Sequence, residues 1–86
     1  AGHLEKKGRY HWERRINPDH AKKAQIFLSI ANELKPEAGN LAILYSQACY
    51  FNGLFIEQIP EKKDSLFREG YQIAKGIVYH SKSFQK

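Results

Sequence analysis

The sequence predicts an all-α fold of four helices arranged as two antiparallel hairpins. The only prolines, Pro18, Pro36 and Pro60, stand at the ends of apolar-periodic segments, where helices tolerate proline. Within those segments the apolar residues recur at steps of three and four, and no strand-like alternation competes with that spacing. Because the connections between consecutive helices are short, neighbouring helices are expected to run antiparallel.

The first helix is predicted over residues 4–15, where Gly8 lowers helical stability by about 1 kcal/mol relative to alanine. The second helix opens with Asn17 as N-cap, Pro18 at the first helical position and Asp19 near the positive end of the helix dipole. Its apolar stripe follows helical spacing as far as the end signal at residues 35–36. The residues of that stripe are Ala21, Ala24, Phe27, Leu28, Ala31 and Leu34.

The third helix is predicted to begin after Gly39, with Asn40 as its N-cap. Its apolar stripe continues almost to Pro60 and predicts one long helix, frayed or bent near Asn52 and Gly53. The stripe consists of Leu41, Leu44, Tyr45, Ala48, Phe51, Phe55 and Ile59.

The fourth helix is predicted to start at Glu61 or Asp64 and to end near Tyr79. The 86 residues correspond to a single domain, expected over residues 1–80, and residues 81–86 are predicted to be a frayed tail. No apolar run approaches the roughly 18 residues that a membrane span requires.

The net charge of +5 is concentrated near the N-terminus. Residues 1–35 carry eight lysines and arginines against four acidic residues, whereas residues 36–78 carry four against five. A basic segment of this kind suits an acidic protein, a nucleic acid or an anionic surface, although most such segments are solvated faces.

The second helix resembles the tetratricopeptide repeat (TPR). The run Ala24-x3-Leu28-x2-Ala31-x4-Pro36 has the small–large–small spacing and closing proline of the second helix of that repeat. The fourth helix is similar, with Phe67 where the repeat expects alanine. The resemblance implies TPR-like hairpins that act as a protein-interaction or assembly scaffold.

A subfamily of TPR-like proteins is closer still. The segments Trp12-Glu13-x-Arg15-x-Asn17-Pro18 and Phe67-Arg68-Glu69-Gly70-Tyr71 are similar to the periplasmic lipoproteins associated with TRAP transporters, known as the T component. That resemblance implies lengthened hairpins, a periplasmic setting and a solute-receptor protein as partner; without it, a cytoplasmic location is expected. The chain is shorter than such proteins, so it would be a fragment or a minimal relative.

In TPR-like arrays the first helix of each hairpin lines the ligand face, which predicts partner-binding residues on the first and third helices. On the third helix Ile43 and Tyr50 lie off the apolar stripe, and this observation motivates the assignment. A helix buried on all sides within a bundle or dimer is the alternative. The predicted partner-binding residues are Arg9, Trp12, Glu13, Asn40, Ile43, Gln47 and Tyr50, with Phe51 as a further candidate.

Nucleic-acid or anionic-surface binding is the second functional class. Tyr10 and Trp12 interleave with basic residues, a combination that can stack bases, although core packing of Trp12 is the competing role. The basic residues of this hypothesis are Arg9, Arg14, Arg15, Lys22 and Lys23.

No enzyme, cofactor or metal site is predicted. The four histidines, His3, His11, His20 and His80, lack the paired spacing of zinc ligands, and His11 and His20 can meet only across the first turn. Cys49 has no activating base in the sequence and is expected to be a small buried residue.

Two hairpins are fewer than the roughly three repeats that usually form a stable stack. The chain is therefore expected to self-associate, or to be completed by helices of a neighbouring segment.

Overall fold

The computed structural model describes the backbone of residues 2–84 and the side chains of residues 2–77. Within that part of the chain there are four α-helices and no strand, which confirms the all-α prediction. The helices are α1 (Gly2–Trp12), α2 (Pro18–Leu34), α3 (Gly39–Phe51) and α4 (Pro60–Phe84), and a π-helical segment, Asn52–Ile56, follows α3.

The first hairpin consists of α1 packed against α2. Near the end of α1, His11 lies against His20 at the start of α2, whereas the earlier residue Gly8 faces Leu28 further along α2. The later residue of α1 thus contacts the earlier residue of α2, and the earlier residue of α1 contacts the later residue of α2. The two helices are therefore antiparallel.

The second hairpin consists of α3 packed against α4. Ser46 Oγ donates a hydrogen bond to the Gly70 carbonyl over 2.9 Å, and Lys63 Nζ donates one to the Gly53 carbonyl over 3.1 Å. Ser46 pairs with the later residue of α4, Gly70, whereas Gly53, which follows α3, pairs with the earlier residue, Lys63. The chain of α3 therefore runs antiparallel to α4.

The two hairpins join where α2 packs against α3. Buried Asn52 uses both amide hydrogens at this joint, donating to the carbonyls of Ala21 at 3.1 Å and Ala48 at 3.0 Å. Small residues allow close approach here, and large ones fill the remaining space. The buried cluster is formed by Ala24, Leu28, Ala31, Leu41, Leu44, Tyr45, Ala48 and Cys49.

The molecule is thin, with principal extents of 41 × 30 × 17 Å. Helices that pack directly have axes about 8–10 Å apart, so an extent of 17 Å accommodates about two helix layers. With so few layers, several helices present one face to the core and another to solvent.

The start of α2 agrees with the prediction in detail. Asn17 has an extended backbone, and its side-chain oxygen accepts a hydrogen bond from the Asp19 amide over 2.9 Å. Pro18 begins the helix, and Leu34 ends it before Pro36. The local capping chemistry is sufficient to define both boundaries.

The first helix is shorter than predicted at its C-terminal end. It ends at Trp12, and residues 13–16 form turns in which the amides of Arg14 and Arg15 bond to carbonyls only three residues earlier. This tightening turns the chain toward Asn17, whose cap starts the next helix. The prediction that residues 13–15 continue the helix was therefore wrong.

The third helix differs from the prediction at both ends. Its N-cap is Ala38 rather than Asn40, and no side chain caps it. The α-helix ends at Phe51, so the prediction of one helix continuing to Pro60 was wrong. In the π-helical segment the Glu57 amide bonds to the Asn52 carbonyl over 2.7 Å, a step of five residues. A π turn of this kind is uncommon and often accompanies a functional site.

The fourth helix begins at Pro60, one residue before the earlier of the two predicted starts. It continues to Phe84, so residues 81–84, expected in the frayed tail, are helical, and residues 85 and 86 lie outside the described part of the chain.

Candidate interaction surface

The structure places the partner-binding residues predicted on the first helix in different surroundings. Arg9 is exposed and forms an ion pair with Glu5 on the same helix, with Nη2 and Oε2 3.0 Å apart. Glu13 is exposed in the turn after α1. Trp12 is half-buried and lies edge-on to Phe51 of α3, with 5.7 Å between ring centroids. Trp12 therefore packs against the core and also borders solvent.

On α3, three of the four predicted residues share one exposed face. Asn40, Ile43 and Gln47 follow helical spacing and are exposed. Tyr50 instead stacks on Phe67 of α4, with 6.2 Å between centroids, and is half-buried. Asn40, Ile43 and Gln47 are therefore available to a partner, whereas the Tyr50 ring belongs to the packing between α3 and α4.

A cluster of rings lies where α1 and α3 end. Phe51 contacts Trp12 on one side and Phe55 on the other, and the centroids of Phe51 and Phe55 are 5.0 Å apart. The Arg15 guanidinium carbon lies 4.3 Å from the Trp12 centroid and 5.5 Å from that of Phe51. We call Trp12, Arg15, Phe51 and Phe55 the aromatic–arginine cluster.

This cluster is open to solvent. The side chain of Phe55 is 70% exposed, and its neighbour Leu54 is 59% exposed. On the other side, Ile16 next to Arg15 is 94% exposed. Scattered exposed apolar residues are ordinary, whereas exposed aromatic side chains in contact with an arginine are typical of an interaction site.

The Arg15 guanidinium is oriented, and no acidic side chain among residues 2–77 pairs with it. Its Nη1 donates to the Trp12 carbonyl over 3.1 Å. The ion pairs among the described residues join Arg9 to Glu5 and Arg68 to Asp64, and neither involves Arg15. A guanidinium held over a ring and not paired with a carboxylate retains donors for an incoming anionic group.

Arg14 is also held by local contacts. Its Nη1 donates to the Tyr10 carbonyl over 2.8 Å, and its guanidinium carbon lies 3.7 Å from the Tyr10 ring centroid. Both arginines of the turn are thus stacked on aromatic rings, which fixes positive charge beside the exposed apolar side chains.

Sequence reasoning identified Trp12, Arg15 and Phe51 but missed Phe55. It assigned Phe55 to the buried stripe of a single long helix, where a spacing of four residues from Phe51 predicts burial on the same face. The π-helical segment changes the register after Phe51, and the Phe55 ring reaches solvent. The only sequence signal for this break was the Asn52-Gly53 pair.

Polar groups within the second hairpin have structural roles. Tyr45 Oη donates to Glu69 Oε2 over 2.8 Å, and burial raises the pKa of Tyr45. Cys49 is fully buried, as predicted, and burial raises the pKa of its thiol to about 11. A protonated, enclosed thiol is a poor nucleophile.

Two of the four histidines come together across the first turn. His11 Nδ1 and His20 Nδ1 are 2.8 Å apart, so one ring donates a hydrogen bond to the other. No group of three or more metal-ligating side chains occurs in the part of the chain that the structure describes. In that same part, no helix combines the length and apolar character needed to cross a membrane.

Comparison with protein-family models, with curated proteins and with solved structures found no match for this chain.

Proposed function

We propose that this chain is a non-enzymatic, TPR-like protein-interaction module whose docking surface combines the aromatic–arginine cluster with the adjacent exposed face of α3. The observation that carries the proposal is that the exposed Phe55 ring contacts Phe51, which also contacts Trp12, and that Arg15 lies over Trp12 without an acidic partner among the described residues. Aromatic residues and arginine are the side chains that contribute most to binding energy in protein interfaces.

The chemistry of this surface specifies the kind of partner. An apolar or aromatic side chain would cover Phe55 and Leu54, both of which are largely exposed. A carboxylate next to it would bind the remaining donors of Arg15. The surface therefore fits an acidic peptide segment that carries a large apolar residue beside an aspartate or glutamate. The resemblance to the T component adds a solute-receptor protein as one candidate partner.

Nucleic-acid binding, the alternative from the sequence, has weaker support. Of its five basic residues, Arg9 is paired with Glu5, and the guanidinium groups of Arg14 and Arg15 lie over rings of their own chain. Bases stack on exposed ring faces, and the faces of Tyr10 and Trp12 are in part occupied by these arginines. An acidic protein partner uses the same arginines without displacing them.

A selection from a random peptide library tests the proposal. The protein, immobilised at low salt, is expected to enrich peptides with an acidic residue adjacent to an aromatic or aliphatic one. Phe55→Ser and Arg15→Gln should each weaken binding of an enriched peptide by about fivefold or more, since central interface residues of these types contribute more than about 1 kcal/mol.

Ile26→Ser is the matched control, because Ile26 is an exposed apolar residue on α2, outside the surface. It should leave peptide affinity unchanged. The proposal is wrong if enriched peptides bind the double variant Phe55→Ser, Arg15→Gln as tightly as the unaltered protein. It is also wrong if a single-stranded oligonucleotide binds with steep salt dependence while no peptide is enriched.

A further inference from the structure

The histidine pair, His11 and His20, occupies the turn end of the first hairpin. Their Nδ1 atoms are 2.8 Å apart, and the two ring centroids are separated by 5.0 Å. Phe27 stacks on His11, with an interplanar angle of 9° and 5.5 Å between centroids. The His11 ring therefore contacts two residues of α2, His20 and Phe27, and it links the end of α1 to α2.

A hydrogen bond between two Nδ1 atoms sets a limit on protonation. One Nδ1 must carry a hydrogen and the other must offer a lone pair, so the accepting ring has to be neutral. The pair can hold one additional proton on the donating ring without losing the bond. A second proton leaves both Nδ1 atoms carrying a hydrogen, so neither can accept the hydrogen bond. It also brings two positively charged rings into contact, and the bond cannot persist.

The charged groups around the pair make the second proton still less favourable. Lys7 and Arg14 act on His11 from α1 and the turn that follows it, and Lys23 acts from α2. Tyr10 lies edge-on to both imidazole rings. Partial burial and, after it, the positive charges of His20, Lys23, Arg14 and Lys7 lower the pKa of His11. Among the described residues, the charged groups that act on His11 are all basic.

We infer that the histidine pair is an acid-sensitive clasp that holds α1 against α2 and thereby keeps Trp12 and Arg15 in the docking surface. Trp12 follows His11 directly in the chain, and Arg15 lies in the turn between the two histidines. Opening of the clasp loosens this end of α1 and displaces both residues from Phe51. The regulatory part of this inference rests on the proposed function, whereas the clasp itself does not.

The direction of the pH effect follows from linkage. A histidine with a lowered pKa in the folded protein binds fewer protons than it does in the unfolded chain. The stabilisation that the clasp provides is therefore fully present above the unfolded pKa of about 6.5 and declines as the pH falls below it. This range is the one in which histidine charge responds to mild acidification.

Native-state hydrogen exchange of the free protein tests the clasp without any partner. After correction for intrinsic exchange, α1 amides should lose roughly three- to tenfold protection between about pH 7.5 and 5.5, which corresponds to loss of one net hydrogen bond. Amides in α3 should change less. His20→Gln and His11→Gln, which cannot take up a proton, should each abolish most of the change.

His3→Gln is the matched control, since His3 is an exposed histidine on α1 and belongs to no pair, and it should behave as the unaltered protein does. Equal loss of protection in the unaltered protein and in both glutamine variants of the pair would overturn the clasp. The affinity of the unaltered protein for an enriched acidic peptide should fall over the same pH range, and the affinity of His20→Gln should fall less. An equal fall in the two proteins would overturn the regulatory role. Failure of any peptide to bind at pH 7.5 would instead count against the proposed function, and exchange would still decide the clasp.

Discussion

Gly8 on α1 lies directly against Leu28 on α2, at a separation that leaves no room for a side chain. A β-carbon added to Gly8 would be 2.7 Å from both Cγ and Cδ2 of Leu28. Leu28 is fully buried and cannot move aside without disturbing the core. The glycine that weakens α1 in isolation is thus the residue that allows α1 to approach α2.

Gly8→Ala is expected to destabilise the protein even though alanine is the better helix former. Overpacking a core costs about 1–3 kcal/mol, which exceeds the gain of about 1 kcal/mol in helix propensity. Gly76→Ala on α4 is the matched control, because an added β-carbon there would have no atom within 4 Å. It should raise the free energy of unfolding by up to about 1 kcal/mol. Urea denaturation measures both, and equal stabilisation by the two changes would contradict the prediction.

Asn52→Ala is expected to lower the free energy of unfolding by about 1–3 kcal/mol. The substitution leaves the buried carbonyl of Ala21 without the amide that now donates to it, and it removes the polar link between α2 and α3. Asn40→Ala, at an exposed position of α3, should change stability by no more than about 0.5 kcal/mol. Chemical denaturation of the two variants distinguishes them, and similar effects would show that the joint does not depend on Asn52.

Strong local signals were sufficient to predict much of this fold. The cap at Asn17 with Pro18 fixed the start of α2, and regular apolar spacing in α2 identified Ala24, Leu28 and Ala31 as core residues, as observed. The sequence predicted only fraying or a bend near Asn52 and Gly53, not the π turn that the structure shows there. The π turn is stabilised by contacts distant in sequence: buried Asn52 bonds to Ala21, and Gly53 lies against Phe67.

The candidate surface was predictable only in part, for a related reason. Composition indicated that Trp12 and Arg15 form a basic–aromatic group, and periodicity placed Ile43 and Gln47 on an exposed face. Arg15 stacks on Trp12 because of the geometry of the four-residue turn after α1. The propensities of single residues do not predict that geometry. The pairing of His11 with His20 likewise required the three-dimensional course of that turn.

Cys49 is expected to resist thiol reagents in the folded protein. Its side chain is fully buried, and its pKa is raised to about 11, so both access and thiolate formation are suppressed at neutral and mildly alkaline pH. A disulfide reagent should label Cys49 only as fast as the protein unfolds, and labelling should become rapid in urea. Rapid modification of the native protein at pH 8 would show that the environment of Cys49 is more open than the structure indicates.

Self-association, expected from the small number of hairpins, has a defined candidate surface. Ile30 and Leu34 are spaced by four residues along α2 and are exposed. Sedimentation equilibrium between micromolar and millimolar concentrations should reveal a reversible oligomer that Ile30→Lys weakens. Ile16→Lys, at an almost fully exposed position in the turn after α1, should not. A monomer throughout this range would rule out self-association.

The direction of the Phe55 ring depends on the number of residues in the π-helical segment Asn52–Ile56. A π turn contains one residue more than an α turn, and each residue of an α-helix turns the chain by about 100°. Deleting a single residue from this segment would restore α-helical register and rotate the Phe55 ring about the helix axis, with no change in side-chain chemistry. Single-residue insertions and deletions, rather than substitutions, would therefore be the most effective way for evolution or design to redirect the docking surface.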